Sequence, residues 1–168
     1  MDAAIFTVIT GIGATGAIDL WAIGRRRLFA TPLPRYDLVG RWIGHLARGR
    51  LRHDAIDRSS PVGGERAIGW IAHYAIVIAF AAVLTGVAGH AWTAHPTPAP
   101  ALLVGIGTVA APWLVMQPAM GAGVAARRTR PPGAARLQSL VTHTLFGAAL
   151  YAAAWLARSV DLYRASAG

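Results

Sequence analysis

Four long apolar segments constrain the fold of this chain more than any other feature. Each contains about 20 mainly apolar residues, and a helix of that length crosses a hydrocarbon layer about 30 Å thick. Each must be helical, because backbone amides in lipid find hydrogen-bond partners only within a helix or a closed barrel. The sequence therefore predicts an all-α, polytopic membrane protein, one integral-membrane domain over residues 1–168, with spans at about 3–24, 67–89, 101–126 and 137–157.

Composition supports the membrane assignment and removes some chemistries. Only 14% of the residues are charged, whereas soluble domains have about a quarter. The chain has no cysteine, which excludes disulfides, thiol catalysis and thiolate metal sites.

The distribution of arginine predicts the orientation of the chain. All sixteen basic residues are arginine, and fourteen lie in the connections between spans one and two or between spans three and four. Positive charge favours the cytoplasmic side, so we expect a bacterial inner-membrane protein with both connections in the cytoplasm and both termini in the periplasm. We interpret the net charge of +9 as attraction to anionic lipid, not to nucleic acid.

The long first connection, residues 25–66, contains an amphipathic pattern at about 37–48. Its apolar side chains recur at helical spacing, with Arg41, His45 and Arg48 on the opposite face. This pattern predicts an interfacial helix whose apolar face lies in the inner leaflet. The arginines that we expect to bind lipid headgroups are Arg25, Arg26, Arg27, Arg41 and Arg48.

The histidines of the connections and two prolines support further predictions. His45 and His53 in the first connection, like His90 and His95 in the second, are interpreted as ordinary interface histidines. Pro112 and Pro118 lie in the third apolar segment. Since each proline removes a backbone hydrogen bond, we expect that helix to be kinked.

Polar side chains interrupt the apolar segments at similar depths. Asp19 lies six residues before Arg25, and both His73 and His143 follow an arginine by seven residues. These spacings place all three about 9–10 Å inside the boundary, with Gln117 slightly deeper. Small and polar residues recur every four positions on the same helix faces, which favours faces that point towards other helices. An ionisable group at such depth marks a candidate functional site.

Four functions are consistent with such a cluster. The sequence favours binding or translocation of a small solute, ion or proton, with no cofactor, through Asp19, His73, His143 and Gln117. A bis-His haem b protein with His73 and His143 as axial ligands is one alternative. A structural accessory subunit is another, and a homo-oligomer or a membrane partner suits either role. An enzyme using Asp19 and a histidine is disfavoured, because no nucleophile, phosphate-loop or metalloprotease motif accompanies them.

Three segments support a family resemblance. "VGRWIGHLARGRLRH", "GERAIGWIAHY" and "QPAMGAG" together resemble a bacterial family of small four-helix inner-membrane proteins catalogued as a domain of unknown function. The resemblance covers nearly the whole chain and implies the four-span architecture. It implies no reaction, substrate or catalytic residue.

Overall fold

The chain is all-helical, and four of its helical segments are long and apolar enough to cross a membrane. The computed structural model describes residues 1–167, except for the side chains of residues 164, 165 and 167. Six α-helices are present in this part of the chain: α1 (Ala3–Phe29), α2 (Tyr36–Leu46), α3 (Glu65–Ala94), α4 (Pro98–Gly107), α5 (Gln117–Met120) and α6 (Pro132–Ala167). The fold class predicted from the apolar segments is confirmed.

The spans differ from the predicted segments mainly at their ends. The candidate spans are Ala3–Phe29, Glu65–Ala94, Pro98–Met120 and Pro132–Tyr163. All four extend beyond the predicted bounds at one end or both, because each helix continues past the apolar run. The third span is shorter at its C-terminal end than predicted. Gly121 has a φ of 99° there, a left-handed conformation that ends a helix and that glycine adopts easily.

The third span is interrupted, as Pro112 and Pro118 predict. Helix α4 ends at Gly107, and residues 108–109 form a turn. A π-helical segment, Pro112–Met116, then leads into α5. The amide of Gln117 donates to the carbonyl of Pro112 across this wider turn. The position of the break follows from proline, which donates no backbone hydrogen bond.

The chain divides into two compact units. Unit 1 contains Met1–Pro32, Tyr74–Gly107 and the chain from Thr142 onwards. Its apolar core includes Phe6, Leu84, Trp92, Phe146 and Leu150, all at most 5% exposed. Glycines allow helices to approach closely within this unit: a Cβ atom on Gly11 of α1 would lie 2.9 Å from Cα of Ile78.

Unit 2 contains Leu33–His73 and Thr108–Val141. Within it, α2 crosses the start of α3 at two glycines. A Cβ atom on Gly40 would overlap the carbonyl of Glu65, and one on Gly69 would overlap the carbonyl of Tyr36. The two backbones are therefore in contact at this crossing, which only glycine permits.

Helix α2 confirms the predicted amphipathic helix but corrects which face is buried. Arg41 and His45 are each only 8% exposed, whereas Leu46 on the apolar face is 37% exposed. Arg41 and His45 are thus buried in unit 2, whereas Arg48 is exposed and the apolar side chains of Leu38, Val39, Trp42 and Ile43 are partly exposed. The prediction that Arg41 and His45 lie on an outward polar face is wrong. A helix beside lipid exposes its apolar face, so the amphipathic pattern alone does not reveal which side the protein covers.

Candidate functional site

Asp19 is held by a hydrogen bond from Tyr74 within unit 1. The hydroxyl of Tyr74 donates to the Asp19 carboxylate at 3.3 Å, from α3 to α1. The residues four apart on α1 share this face: Thr7 pairs with Thr85 of α3 at 3.1 Å, and Gly11 contacts Ile78. Thr15, the next in the row, is fully buried. The small and polar stripe of α1 therefore faces another helix, as the sequence predicts.

The two histidines of the spans lie in different units. His143 belongs to unit 1, where its ring is edge-on to Phe146 at 6.5 Å between centroids. Its backbone carbonyl lies beside Gly105 of α4. His73 belongs to unit 2, where its ring stacks on Tyr36 with centroids 4.1 Å apart and meets Trp70 edge-on.

Gln117 lies in unit 2 directly after the π-helical segment. Its side-chain Oε1 is buried and makes no hydrogen bond within the described chain, and the same holds for Nε1 of Trp113 one turn earlier. Such unsatisfied atoms are rare in native structures and call for a functional or structural explanation. Departures from α-helical geometry of this kind often accompany functional sites.

Arg41, predicted to bind lipid headgroups, is buried and hydrogen-bonded within unit 2. Its Nε and Nη2 atoms donate to both oxygens of Glu65, at 2.9 and 2.7 Å. Its Nη1 donates to the carbonyls of Asp57 and Ser59. Arg41 is therefore not expected to bind a lipid headgroup, because most of its N–H groups donate within unit 2. The other predicted headgroup ligands on exposed positions, Arg26, Arg27 and Arg48, are compatible with that role, which stays a prediction.

His45 and His53 correct the expectation of ordinary interface histidines, because both are buried. Nε2 of His45 bonds the carbonyl of Ser60 at 2.9 Å, and its ring lies 5.0 Å from that of His53. Neither ring nitrogen of His53 makes a hydrogen bond to any residue that the structure describes. Burial lowers the pKa of His53 below its usual value, with smaller contributions in the same direction from Arg50 and His45; the nearby carbonyl of Ala119 opposes them.

A cavity that sequence reasoning missed lies in unit 2. It has a volume of about 370 Å³ and is lined by residues of the first and second arginine-rich connections and the end of the third span. We call it the arginine cavity, after the residues Arg50, Arg52, Arg127 and Arg128 that line it together with His53 and Asp54. The basic runs "RGRLR" and "ARRTR" were visible in the sequence. Their convergence was not, because about 70 residues separate them along the chain.

No group of three histidine, aspartate or glutamate side chains is arranged to bind a metal ion in the part of the chain that the structure describes.

Comparison with known proteins identifies the family. A family model described as a protein of unknown function, DUF2938, matches residues 8–157. The chain belongs to the DUF2938 family. The resemblance expected from the three quoted segments is thereby confirmed. No curated protein and no solved structure matches this DUF2938 chain.

Proposed function

We propose that this DUF2938 protein binds, and conducts across the hydrocarbon layer, a proton or another small ion or solute, with Asp19 as the central residue. The observation that carries the proposal is the Asp19–Tyr74 hydrogen bond. Asp19 lies six residues before Arg25 on α1, about 9 Å along the helix. A carboxylate at such depth costs several kcal/mol unless it is paired or hydrated, so its presence in a span favours a functional role.

The hydrogen bond from Tyr74 supports proton exchange at Asp19. The hydroxyl of Tyr74 donates to the carboxylate, and a tyrosine hydroxyl can both donate and accept a hydrogen bond. Once the carboxyl group is protonated, it can in turn donate a hydrogen bond to the tyrosine hydroxyl. Asp19 is partly exposed.

Proton binding is tested by infrared difference spectroscopy of the purified protein during acidification. We expect the carboxyl C=O stretching band that appears to contain a component from Asp19, and this component to be missing in Asp19→Asn. Asp37→Asn, which removes a carboxylate outside the spans, is the matched control and should retain the band. If Asp19→Asn shows the same band as the wild type, Asp19 is not the proton-binding group.

Translocation is tested in vesicles that contain a pH-sensitive dye, with a potassium diffusion potential imposed by valinomycin. Wild-type protein should acidify or alkalise the lumen faster than empty vesicles, and Asp19→Asn should abolish the excess rate. Tyr74→Phe keeps the ring and removes the donor, so it should change the rate less than Asp19→Asn does. Equal rates in wild-type and empty vesicles would exclude proton translocation. Equal rates in wild type and Asp19→Asn would favour a structural role for this residue.

A further inference from the structure

The arginine cavity is independent of Asp19, because all its lining residues belong to unit 2. We propose that it is a binding site for a phosphate monoester group. The group belongs either to a lipid headgroup or to a small soluble phosphate ester. The ligand chemistry follows from the charge of the lining side chains, the volume of the cavity and the backbone contacts that hold its walls.

Four arginines and a single carboxylate, Asp54, line the cavity. None of the four guanidinium groups forms a hydrogen bond or an ion pair with another described residue. Cationic side chains that converge on a concave surface repel each other and concentrate positive potential there. An oxyanion removes this repulsion, and the planar N–H pairs of arginine match the oxygens of phosphate two at a time.

The volume fits a small ligand. Small-molecule sites range from about 300 to 1,000 Å³, and this cavity of about 370 Å³ lies at the small end of that range. A phosphate group with a short polar substituent is therefore a suitable occupant. If the phosphate belongs to a lipid, the cavity holds the headgroup and the acyl chains stay outside.

The loop that carries two of the arginines is fixed by its own backbone. The amide of Arg128 donates to the carbonyl of Ala122, and the amide of Arg127 donates to that of Val124. Ala125 and Ala126 adopt positive φ angles of 47° and 57°, a conformation that costs a non-glycine residue about 1 kcal/mol or more. Nε of Arg136, near the start of α6, donates a hydrogen bond to the Ala125 carbonyl at 2.8 Å. These contacts fix the backbone positions of Arg127 and Arg128.

The opposite wall is tied to the same loop. The amide of His53 donates to the carbonyl of Ala119 at 2.8 Å, and Gly121 contacts the carbonyl of Asp54. At Gly123 a Cβ atom would lie 2.7 Å from Cγ of Arg127. Beneath this wall His53 is 5% exposed, and neither of its ring nitrogens is hydrogen-bonded. A small movement of His53 would supply a ligand with a neutral donor or acceptor beside the guanidinium groups.

The test is calorimetric titration of the detergent-purified full chain with glycerol 3-phosphate, and of the nanodisc-embedded chain with phosphatidic acid. We expect saturable binding to at least one of the two. In Arg127→Gln/Arg128→Gln we expect at least about tenfold weaker binding, since a hydrogen bond to a charged group contributes about 1.5–3 kcal/mol. Arg58→Gln/Arg66→Gln removes an equal charge from two exposed arginines that do not line the cavity and should bind both probes as the wild type does.

A second variant keeps the charge and guards against misfolding. Arg127→Lys/Arg128→Lys retains both positive charges but loses the planar N–H pairs, so it should bind more weakly than the wild type and more tightly than the glutamine pair.

Binding of phosphatidic acid alone assigns the site to a lipid headgroup, and binding of glycerol 3-phosphate assigns it to soluble esters. Absence of saturable binding to both, or an equal loss in Arg58→Gln/Arg66→Gln, would overturn the proposal. These outcomes do not depend on Asp19.

Discussion

At the residue scale, the ion pair between Arg41 and Glu65 connects α2 to the start of α3. Their side chains are only 10% and 18% exposed, and two N–H···O contacts join them. Glu65 also accepts from the amide of Val62. Removing one member of a largely buried pair leaves the other charge without compensation, which is more damaging than removing both.

We expect Arg41→Gln to lower the thermal unfolding midpoint in detergent and to speed trypsin cleavage in the loop that follows α2. Arg48→Gln, an exposed arginine at the end of the same region, is the control and should leave both quantities nearly unchanged. The double variant Arg41→Gln/Glu65→Gln should be less destabilised than the sum of the single changes. Strict additivity would contradict a direct interaction between the two side chains.

His53 makes stability depend on pH. Its pKa is lowered in the folded protein, chiefly by burial, so the unfolded chain binds the proton more readily. Stability from this residue is therefore present above its unfolded pKa of about 6.5 and is lost as the pH falls below that value. The groups around it are His45, Arg50 and Asp54.

We expect the unfolding midpoint of the wild type to fall between roughly pH 7 and pH 5, a window set by the histidine pKa. His53→Gln, which cannot titrate, should show a smaller fall over the same interval. His95→Gln, an exposed histidine, should behave like the wild type. The same slope in wild type and His53→Gln would show that other groups cause the dependence.

At the element scale, glycine determines how closely helices approach. Gly40 and Gly69 bring the backbones of α2 and α3 into contact, and Gly105 and Gly147 do the same for α4 and α6 in unit 1. Small residues at such crossings are the usual means of packing membrane helices. The polar face of α2 can reach Glu65 only because this crossing is close.

We expect Gly69→Ala to destabilise the protein by about 1–3 kcal/mol, the usual cost of overpacking, because the new methyl group meets the Tyr36 carbonyl. Cleavage of the loop after α2 by trypsin should accelerate as α2 separates. Gly16→Ala in α1 meets nothing within 4 Å and should be neutral or slightly stabilising. An unfolding midpoint in Gly69→Ala equal to that of the wild type would contradict the close crossing.

At the scale of the whole molecule, orientation in the membrane stays a prediction from the arginine distribution. The chain has no cysteine, so single cysteines can be introduced without background. We expect a membrane-impermeant maleimide to label Thr97→Cys in intact cells, and to label Ser60→Cys only after the inner membrane is opened. Both positions are exposed. The reverse pattern would show that the arginine-rich connections lie outside.

The haem alternative also belongs to the whole molecule and stays a prediction. In this alternative His73 and His143 are the axial ligands of haem b. The purified protein should therefore show a Soret absorption band. Single alanine substitutions at both histidines should remove that band. A colourless wild-type protein isolated from haem-replete cells would exclude this alternative.

The fold class with its four apolar helices, the proline interruption and the inward face of α1 could be predicted from the sequence. These features depend on hydrophobicity and local backbone chemistry, which are readable along the chain. The pairing of Arg41 with Glu65, the burial of His45 and His53, and the cavity lined by distant arginines could not. Those outcomes depend on which segments meet across long sequence separations and on which side of an amphipathic helix faces protein. In a membrane protein lipid and protein can both cover an apolar face, so hydrophobic periodicity does not distinguish them.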